Sequence, residues 1–276
     1  MTTTAAGPGE ARTPEPYVRP DLYDLLFSGL RFDHEFYLGL ARAAGGPVLD
    51  LCCGTGRVLV PLLEAGVDAD GVDLYPEMLE RARANAAAQG RHPKLYAADM
   101  RAFETPRRYA LVMIPFNAFA HNLTVEDQLN TLSCCHRQLE RGGMLAFDAF
   151  TATAEMLRNP AAEPVLEMEV VHPDDGHLVQ LWDGRNLDPL AQTQHSKIEV
   201  RELSPDRTPL VTHRFETVVR WVWPAELELL LRLAGFSASE VFGGFDRRPV
   251  SAETASLVVL ARKGGAEPRV NAERMP

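Results

Sequence analysis

Three acidic residues stand near the ends of predicted strands, and each could hold a polar ligand. Asp50 precedes a glycine turn, Asp73 closes the next strand, and Asp99 closes the third. A carboxylate accepts hydrogen bonds from ribose hydroxyls or from an exocyclic amine, and it attracts a cationic group. Because the carboxyl ends of parallel strands share one edge of a sheet, we expect the three side chains to converge on one ligand.

The turn after the first strand limits the kind of ligand. A strand, a glycine turn and a helix in succession expose backbone N–H groups to a ligand. A dinucleotide site has the spacing G-x-G-x-x-G, but here Gly54 and Gly56 are followed by Leu59. Asp50 would also repel a pyrophosphate, whereas it suits a ligand that carries an ammonium and a sulfonium. A nicotinamide cofactor is therefore the weaker alternative.

The four cysteines occur as two adjacent pairs, Cys52-Cys53 and Cys134-Cys135. Neighbouring residues in a strand point to opposite faces, so such pairs are poorly placed to share a metal ion, and C-x-x-C spacing is missing. Cys135 falls on the apolar stripe of a predicted helix. We interpret the cysteines as reduced packing residues. The histidines show no ligand-like grouping either, so no metal site is expected.

The elements that must position these residues alternate between strand and helix from Pro47 to Phe150. Short apolar runs are typical of buried strands, and the stretches between them have helical spacing and terminating glycines. This alternation predicts a parallel sheet covered by helices on both faces. The predicted strands are Pro47–Cys53, Asp68–Leu74, Lys94–Asp99, Tyr109–Pro115 and Met144–Phe150, and the main helices are Glu77–Ala88 and one capped at Thr124.

A second pattern begins near Pro164. Apolar and polar residues alternate as far as Trp223, which predicts antiparallel strands with turns at Gly184–Pro189 and Ser204–Pro209. A helix and two further strands follow. The predicted organisation is a disordered tail (1–16), an N-terminal cover and cofactor-binding core (17–163), an antiparallel lid (164–223), completion of the core sheet (224–263) and a second disordered tail (264–276).

Taken together, Asp50–Gly56, Val72–Leu74 with Met78-Leu79, and Ala98–Met100 resemble the motifs of class I S-adenosylmethionine-dependent methyltransferases. The resemblance implies a Rossmann-like, doubly wound α/β fold with a mostly parallel seven-stranded sheet and the lid inserted after strand five. Many members have glycine where this chain has Cys52, and a small residue meets that need. The implied cofactor is S-adenosyl-L-methionine, with contacts from Tyr17, Asp50, Cys52, Gly54, Thr55, Gly56, Asp73, Leu74, Met78, Asp99, Met100, Pro115 and Phe116.

A Tyr-containing segment (17–27), the stretch Met113–Leu123 and the lid occur together. This combination is similar to small-molecule N-methyltransferases that act on nucleotide-linked amino sugars, and to glycine-type enzymes. It implies methyl transfer to a small-molecule acceptor, with an amine nitrogen first and oxygen or carbon as alternatives; a non-catalytic cofactor-binding module is a further alternative. His121 is predicted to orient the acceptor or take its proton, and Asn117 and Tyr23 are further catalytic candidates.

Two groups of lid and C-terminal residues have open roles. Trp182, Trp221 and Trp223 could line an acceptor pocket, cover the sheet or form a homodimer contact. Arg220, Arg247 and Arg248 are candidates to meet an anionic acceptor.

Composition excludes some classes of protein. The 276 residues carry a formal net charge of −10, which disfavours a nucleic-acid binder. No apolar run is long enough to cross a bilayer and the N-terminus lacks a signal pattern, so a soluble cytoplasmic protein is expected. The sequence leaves open the acceptor identity, the number of methyl groups transferred and the oligomeric state.

Overall fold

The computed structural model describes residues 16–264. The two predicted tails lie outside this range, apart from Pro16 and Gly264. The helices are α1 (Pro20–Phe27), α2 (His34–Ala44), α3 (Leu59–Glu64), α4 (Pro76–Ala88), α5 (Val125–Gln138), α6 (Ala154–Arg158) and α7 (Pro224–Leu233), with short 3-10 helices at Pro16–Val18 and Ala118–His121. The strands are β1 (Val48–Leu51), β2 (Ala69–Asp73), β3 (Leu95–Ala97), β4 (Tyr109–Ile114), β5 (Leu139–Phe150), β6 (Ala161–Val171), β7 (Leu178–Asp188), β8 (Thr193–Leu203), β9 (Pro209–Arg220), β10 (Phe236–Phe242) and β11 (Ser256–Lys263).

Seven strands form one sheet in the order β10-β11-β5-β4-β1-β2-β3. The first five strands of the chain pair in parallel, and β11 pairs antiparallel with both β5 and β10. The predicted mostly parallel seven-stranded sheet is confirmed. Strand order reverses beside β1, which pairs with β2 on one side and β4 on the other, and open α/β sheets bind ligands at such a point.

Helices cover both faces of this sheet, and its central strands are accordingly buried on both sides. All four residues of β1 and all five of β2 are buried. One core cluster joins β4 and β5 to α5 and α7, and a second joins β1 to α2 and α3. The Thr124 side chain caps α5 by accepting the Asp127 N–H at 3.0 Å, as predicted. Leu132 and Cys135 of α5 are buried, whereas Val125 is exposed.

The lid is a separate four-stranded antiparallel sheet with β6 to β9 in chain order. The turn predicted at Gly184–Pro189 is wrong over most of its length, because β7 continues through Gly184 to Asp188. A side chain at position 184 would bring its Cβ within 3.0 Å of Pro164 Cγ, so this glycine serves close strand packing. Trp223 is not on the last lid strand as expected; β9 ends at Arg220, and Trp223 precedes α7.

No helix within residues 16–264 combines the length and the apolar character that a membrane span requires.

Candidate active site

The turn after β1 has the backbone conformation that its glycines predict. Cys52, Gly54 and Gly56 all have positive φ, at 64°, 54° and 90°. Cys52 thus adopts the left-handed conformation that glycine takes most readily, which explains why glycine suits this position. Cys53 is buried, and its Sγ lies against Gly71, where an added Cβ would meet it at 2.8 Å. All four cysteines are free, which agrees with their interpretation as packing residues.

Asp73 links this turn to the end of β2. Its carboxylate accepts the Gly54 N–H at 2.8 Å and the Tyr75 N–H at 3.0 Å. Burial raises the pKa of Asp73, and the backbone donors oppose that rise. The carboxylate borders a large cavity of about 1350 Å³ at the carboxyl edge of the sheet, which we call the central cavity. Two fixed N–H donors therefore hold Asp73 in one orientation beside the cavity.

Asp99 and Met100 border the same cavity from the end of β3. The Arg101 guanidinium contacts the Asp99 carboxylate at 2.5 Å and lowers its pKa, so this group is ionised at neutral pH. The Met100 sulfur lies 3.7 Å from Cys52 Sγ. The predicted convergence of Asp73 and Asp99 on one space is thus present.

Asp50 lies deeper in the protein than Asp73 and Asp99. It is the third residue of β1, buried below the turn, and it is not on the wall of the central cavity. Burial raises the pKa of Asp50 to about 8, and the carboxylates of Asp33 and Asp73 add to the rise while the Arg57 guanidinium opposes it. Both carboxylate oxygens are buried and outside hydrogen-bonding geometry of any donor in the described chain. Thr55 and Gly56 are not on this wall either; they border a separate cavity of about 670 Å³.

The segment after β4 forms the middle of the cavity wall. Pro115, Phe116, Asn117 and His121 all border the cavity. Tyr17 Oη lies 2.8 Å from His121 Nε2, so the N-terminal cover reaches the predicted catalytic histidine directly. The Tyr17 ring also packs 5.4 Å from the imidazole, edge to face.

The cover contributes a second tyrosine beside the glycine turn. A Cβ at Gly54 would lie 3.8 Å from the Tyr23 ring, so glycine leaves room between the turn and α1. Burial raises the pKa of Tyr23 well above its usual range, and its hydroxyl stays protonated. Together with Tyr17, Leu74 and Met78, Tyr23 borders the central cavity.

A buried ion pair that sequence reasoning missed supports this region. Arg57 donates to both carboxylate oxygens of Asp33, at 2.7 and 2.5 Å, and the Arg57 guanidinium lies 4.6 Å from the centre of the Phe116 ring. The pair holds the pKa of Asp33 at about 2 despite burial. Nothing in the spacing of the two residues indicates the pairing, because it joins α2 to the turn after β1.

The lid forms the opposite wall of the central cavity. Its apolar members are Met168, Leu181, Ile198, Val200, Phe215 and Val218, and its polar members are Glu167, Asp183, Arg185, Glu216 and Thr217. Arg185 pairs with Glu167 and lies 3.5 Å from Asp183 Oδ2. Burial raises the pKa of Asp183. The sequence did not indicate that these residues line a cavity, because the alternation of apolar and polar residues identifies a strand but not which of its faces meets a ligand.

Other candidates named from the sequence lie away from this cavity. Trp221 is fully buried, and neither it nor Trp182 or Trp223 borders the cavity. Arg220 is buried and pairs with Glu226 at 2.6 Å, which makes it a structural residue. Arg247 and Arg248 are also absent from the wall.

One group of histidines lies closer together than the sequence suggested. Ligand atoms of His172, Asp175 and His177 fall within 4.8 Å of one another at the β6–β7 turn. The Asp175 carboxylate is 2.5 Å from His177 Nδ1, and His172 Nδ1 accepts the Asp174 N–H at 3.3 Å. The expectation of no metal site stays a prediction.

Comparison with known proteins agrees with this geometry. A family model described as a methyltransferase domain matches residues 48–143. The CcbJ methyltransferase from Streptomyces caelestis superposes with a TM-score of 0.72 at 27% identity, covering 91% of this chain and 99% of that one. Residues 48–143 thus match a methyltransferase domain, and the chain shares the fold of S-adenosylmethionine-dependent methyltransferases.

Two further proteins resemble the chain, one in sequence and one in fold. A glycine/sarcosine N-methyltransferase from Aphanothece halophytica is 32% identical over 117 residues, which are 41% of this chain and 44% of that protein. The chain spans about half the length of the curated relatives it matches. An amino pentose methyltransferase from Micromonospora echinaspora, solved with S-adenosylmethionine bound, shares the fold with a TM-score of 0.67 at 18% identity, covering 92% of this chain and all of that one.

The residues around the central cavity fit S-adenosylmethionine, the cofactor expected from the sequence. Asp73 presents a fixed carboxylate suited to ribose hydroxyls, and Asp99 with Met100 offers an acceptor and an apolar surface for adenine. The buried Asp50 carboxylate lies below the turn without a hydrogen-bond donor among the described residues, and a cationic ligand bound against the turn would stabilise its ionised form. These assignments of individual residues remain predictions.

Proposed function

We infer that this methyltransferase transfers a methyl group from S-adenosylmethionine to an amine nitrogen of a small molecule held beneath the lid. The observation that supports this most directly is the single central cavity, which has predicted cofactor residues on one wall and lid side chains on the other. Methyl transfer requires the methyl group and the acceptor to be aligned in one enclosed space.

The charges on the wall favour a basic acceptor. The acidic members are Asp73, Asp99, Glu167, Asp183 and Glu216, and the arginines are Arg101 and Arg185. Each arginine is paired, Arg101 with Asp99 and Asp127, and Arg185 with Glu167. A phosphate would be repelled by these carboxylates, because both arginines of the wall are already paired. A protonated amine would be attracted by the same carboxylates. A nucleotide-linked sugar is therefore a poorer fit than an uncharged molecule with a basic amine.

The remainder of the lid wall supports an acceptor with an apolar body. On the cavity wall, Met168, Leu181, Ile198, Val200 and Phe215 belong to one apolar cluster, which spans the four lid strands and also includes Leu22 and Leu26 of α1. Burying apolar area against such a surface contributes about 25 cal/mol per Å². Relatives named for glycine, sarcosine and amino pentose methylation are compatible with an amine acceptor.

The chain's own residues align the acceptor and move one proton. When bound, S-adenosylmethionine supplies a methyl group already activated by its sulfonium. The acceptor amine must be neutral when its lone pair forms the new C–N bond, and its proton must pass to a base or to water. His121 lies on the cavity wall, where it could accept this proton. Tyr17 fixes the imidazole through the 2.8 Å contact at Nε2.

Product mass analysis tests the proposal. The protein is incubated with S-adenosylmethionine and three acceptor sets: apolar amines, the matched alcohols, and nucleotide-linked amino sugars. The proposal predicts a mass gain of one methyl group for members of the first set. Methylation confined to the alcohols or to the nucleotide-linked sugars would overturn the assignment of the acceptor. Cofactor binding without methylation of any acceptor would support the non-catalytic module instead.

A further inference from the structure

The backbone immediately after β4 is in an unusual conformation. Phe116 and Asn117 are consecutive non-glycine residues with φ of 61° and 55°. The left-handed region is unfavourable for a residue that carries a Cβ, so two such residues in succession need support from the surrounding structure. Both residues border the central cavity, and the strained turn is therefore part of the site.

Asp148 of β5 provides that support. Its Oδ1 accepts the Phe116 N–H at 2.9 Å, and its Oδ2 accepts the Asn117 N–H at 2.6 Å. The Tyr37 hydroxyl donates to the same carboxylate at 2.7 Å. Asp148 and Tyr37 are both buried. Each carboxylate oxygen thus holds one amide of the turn, and α2 fixes the carboxylate from behind.

This carboxylate is held without a cationic partner among the described residues. Burial raises the pKa of Asp148 to about 6, and the hydrogen bonds from Tyr37, Asn117 and Phe116 oppose the rise. A buried charge without a paired cation is unfavourable. An apolar side chain at the end of β5 would avoid that cost, but it would leave two buried amides of the turn without acceptors.

The turn connects Asp148 to the predicted catalytic histidine. Asn117 directly precedes the 3-10 helix Ala118–His121, so the direction in which this short helix leaves β4 depends on the backbone at Asn117. The Phe116 ring packs 5.6 Å from Phe27 of α1 and beneath the Arg57 guanidinium. A change in the turn would therefore move His121 and one wall of the cavity together.

We propose that Asp148 is a positioning residue for methyl transfer: it holds the Phe116–Asn117 turn in its left-handed conformation and thereby aims His121 into the central cavity. The role assigned to His121 rests on the proposed function. The anchoring of the two amides does not, and it can be measured in the absence of any acceptor.

The test compares D148N with a matched control, D70N. Asp70 is also a buried carboxylate that accepts a tyrosine hydroxyl, from Tyr109 at 3.1 Å, but it lies at the other end of β2, away from the cavity. Amide exchange at Phe116 and Asn117 is followed by NMR or mass spectrometry. The affinity for S-adenosylhomocysteine and the turnover of an accepted amine are measured on the same variants.

We expect D148N to exchange the two amides about tenfold faster and to lose about tenfold in kcat, while affinity for S-adenosylhomocysteine changes by less than about threefold. D70N should lower the unfolding temperature and leave these three readings unchanged. D148E, which keeps the charge but displaces it, should recover part of kcat. If D148N does not fold, slow exchange of the two amides in the wild type, which have no backbone acceptor, still supports the anchor.

Fast exchange of Phe116 and Asn117 in the wild type would overturn the proposal. An equal loss of kcat in D148N and D70N would also overturn it, because the effect would then reflect general stability. If the wild type methylates no acceptor, the proposed function fails, whereas the exchange measurement still decides whether Asp148 anchors the turn.

Discussion

The two walls of the central cavity are built in different ways. The sheet-edge wall comes from short loops that follow consecutive parallel strands, and backbone N–H groups fix its main carboxylate, Asp73. The lid wall comes from four long antiparallel strands, and side-chain ion pairs such as Arg185 with Glu167 order its polar groups. In the proposed function, the cofactor therefore meets backbone-fixed groups, while the acceptor meets side chains that can change without altering the fold.

This difference makes the effects of substitutions separable. Changes at the sheet edge should alter cofactor affinity, changes after β4 should alter turnover, and changes in the lid should alter acceptor KM.

D73A should have the largest effect. Charge-assisted hydrogen bonds contribute about 1.5–3 kcal/mol each, so losing two to the ribose hydroxyls should weaken S-adenosylhomocysteine binding about 1000-fold. Calorimetric titration measures this loss, and thermal unfolding checks that the turn at Gly54 survives. Affinity within a few-fold of the wild type would remove Asp73 from the cofactor site.

H121A should lower kcat about 100-fold, the lower end of what general acid–base catalysis contributes, with cofactor affinity unchanged. Y17F, which removes only the hydroxyl that contacts His121 Nε2, should cost less than H121A. Steady-state kinetics with a methylated amine supplies both numbers. Unchanged turnover in H121A would exclude the histidine from the reaction.

D183N should raise the acceptor KM about tenfold, because one charge interaction with a basic amine contributes about 1.4 kcal/mol at this partly buried position. The affinity for S-adenosylhomocysteine should stay constant. E199Q is the matched control, since Glu199 lies on the same lid sheet and is not on the cavity wall. An equal change in KM for both variants would contradict recognition by the cavity-facing carboxylate.

Cofactor affinity should depend on pH through Asp50. A bound cation favours the ionised carboxylate, so binding should release a proton wherever the free protein still holds it, below the pKa of about 8. Affinity should therefore rise from pH 6 to about pH 8, by up to about tenfold per pH unit, and level off above. Titrations in buffers of different ionisation enthalpy report the released proton. D50N should abolish the dependence; its persistence in D50N would assign it to another group.

C52G should have the smallest effect. Glycine relieves the left-handed strain at Cys52, about 1–2 kcal/mol, but adds chain entropy of about 0.5–1 kcal/mol to the unfolded state. The unfolding temperature should stay equal or rise slightly, and cofactor affinity should change by less than about threefold. A large loss of stability would show that the Cys52 side chain makes an essential packing contact.

The sequence predicted the core sheet well because its signals are local. An apolar run that ends at a glycine predicts both a strand and the turn after it. Asp73 and Asp99 lie at or just after the ends of their strands. The depth of Asp50 could not be predicted in this way. It lies inside β1 and pairs with Gly71 and Met113, so its side chain is beneath the turn rather than at the edge.

The lid was predictable as antiparallel strands but not as a wall. The alternation of apolar and polar residues predicts that each strand has two different faces. Which face borders the cavity depends on how the lid packs on α1 and on the segment after β4. For the same reason Arg220, expected as an anion contact, proved to be a buried partner of Glu226. The anchor at Asp148 depends on a contact between β5 and the loop after β4, which no local pattern indicates.

A crystal structure with S-adenosylhomocysteine bound tests the central claim most directly. The account predicts that the ribose hydroxyls bond to the Asp73 carboxylate, that adenine lies beside Asp99 and Met100, and that the sulfur faces His121 across the space beneath the lid. A ligand bound outside the central cavity, or a ribose without contact to Asp73, would contradict it.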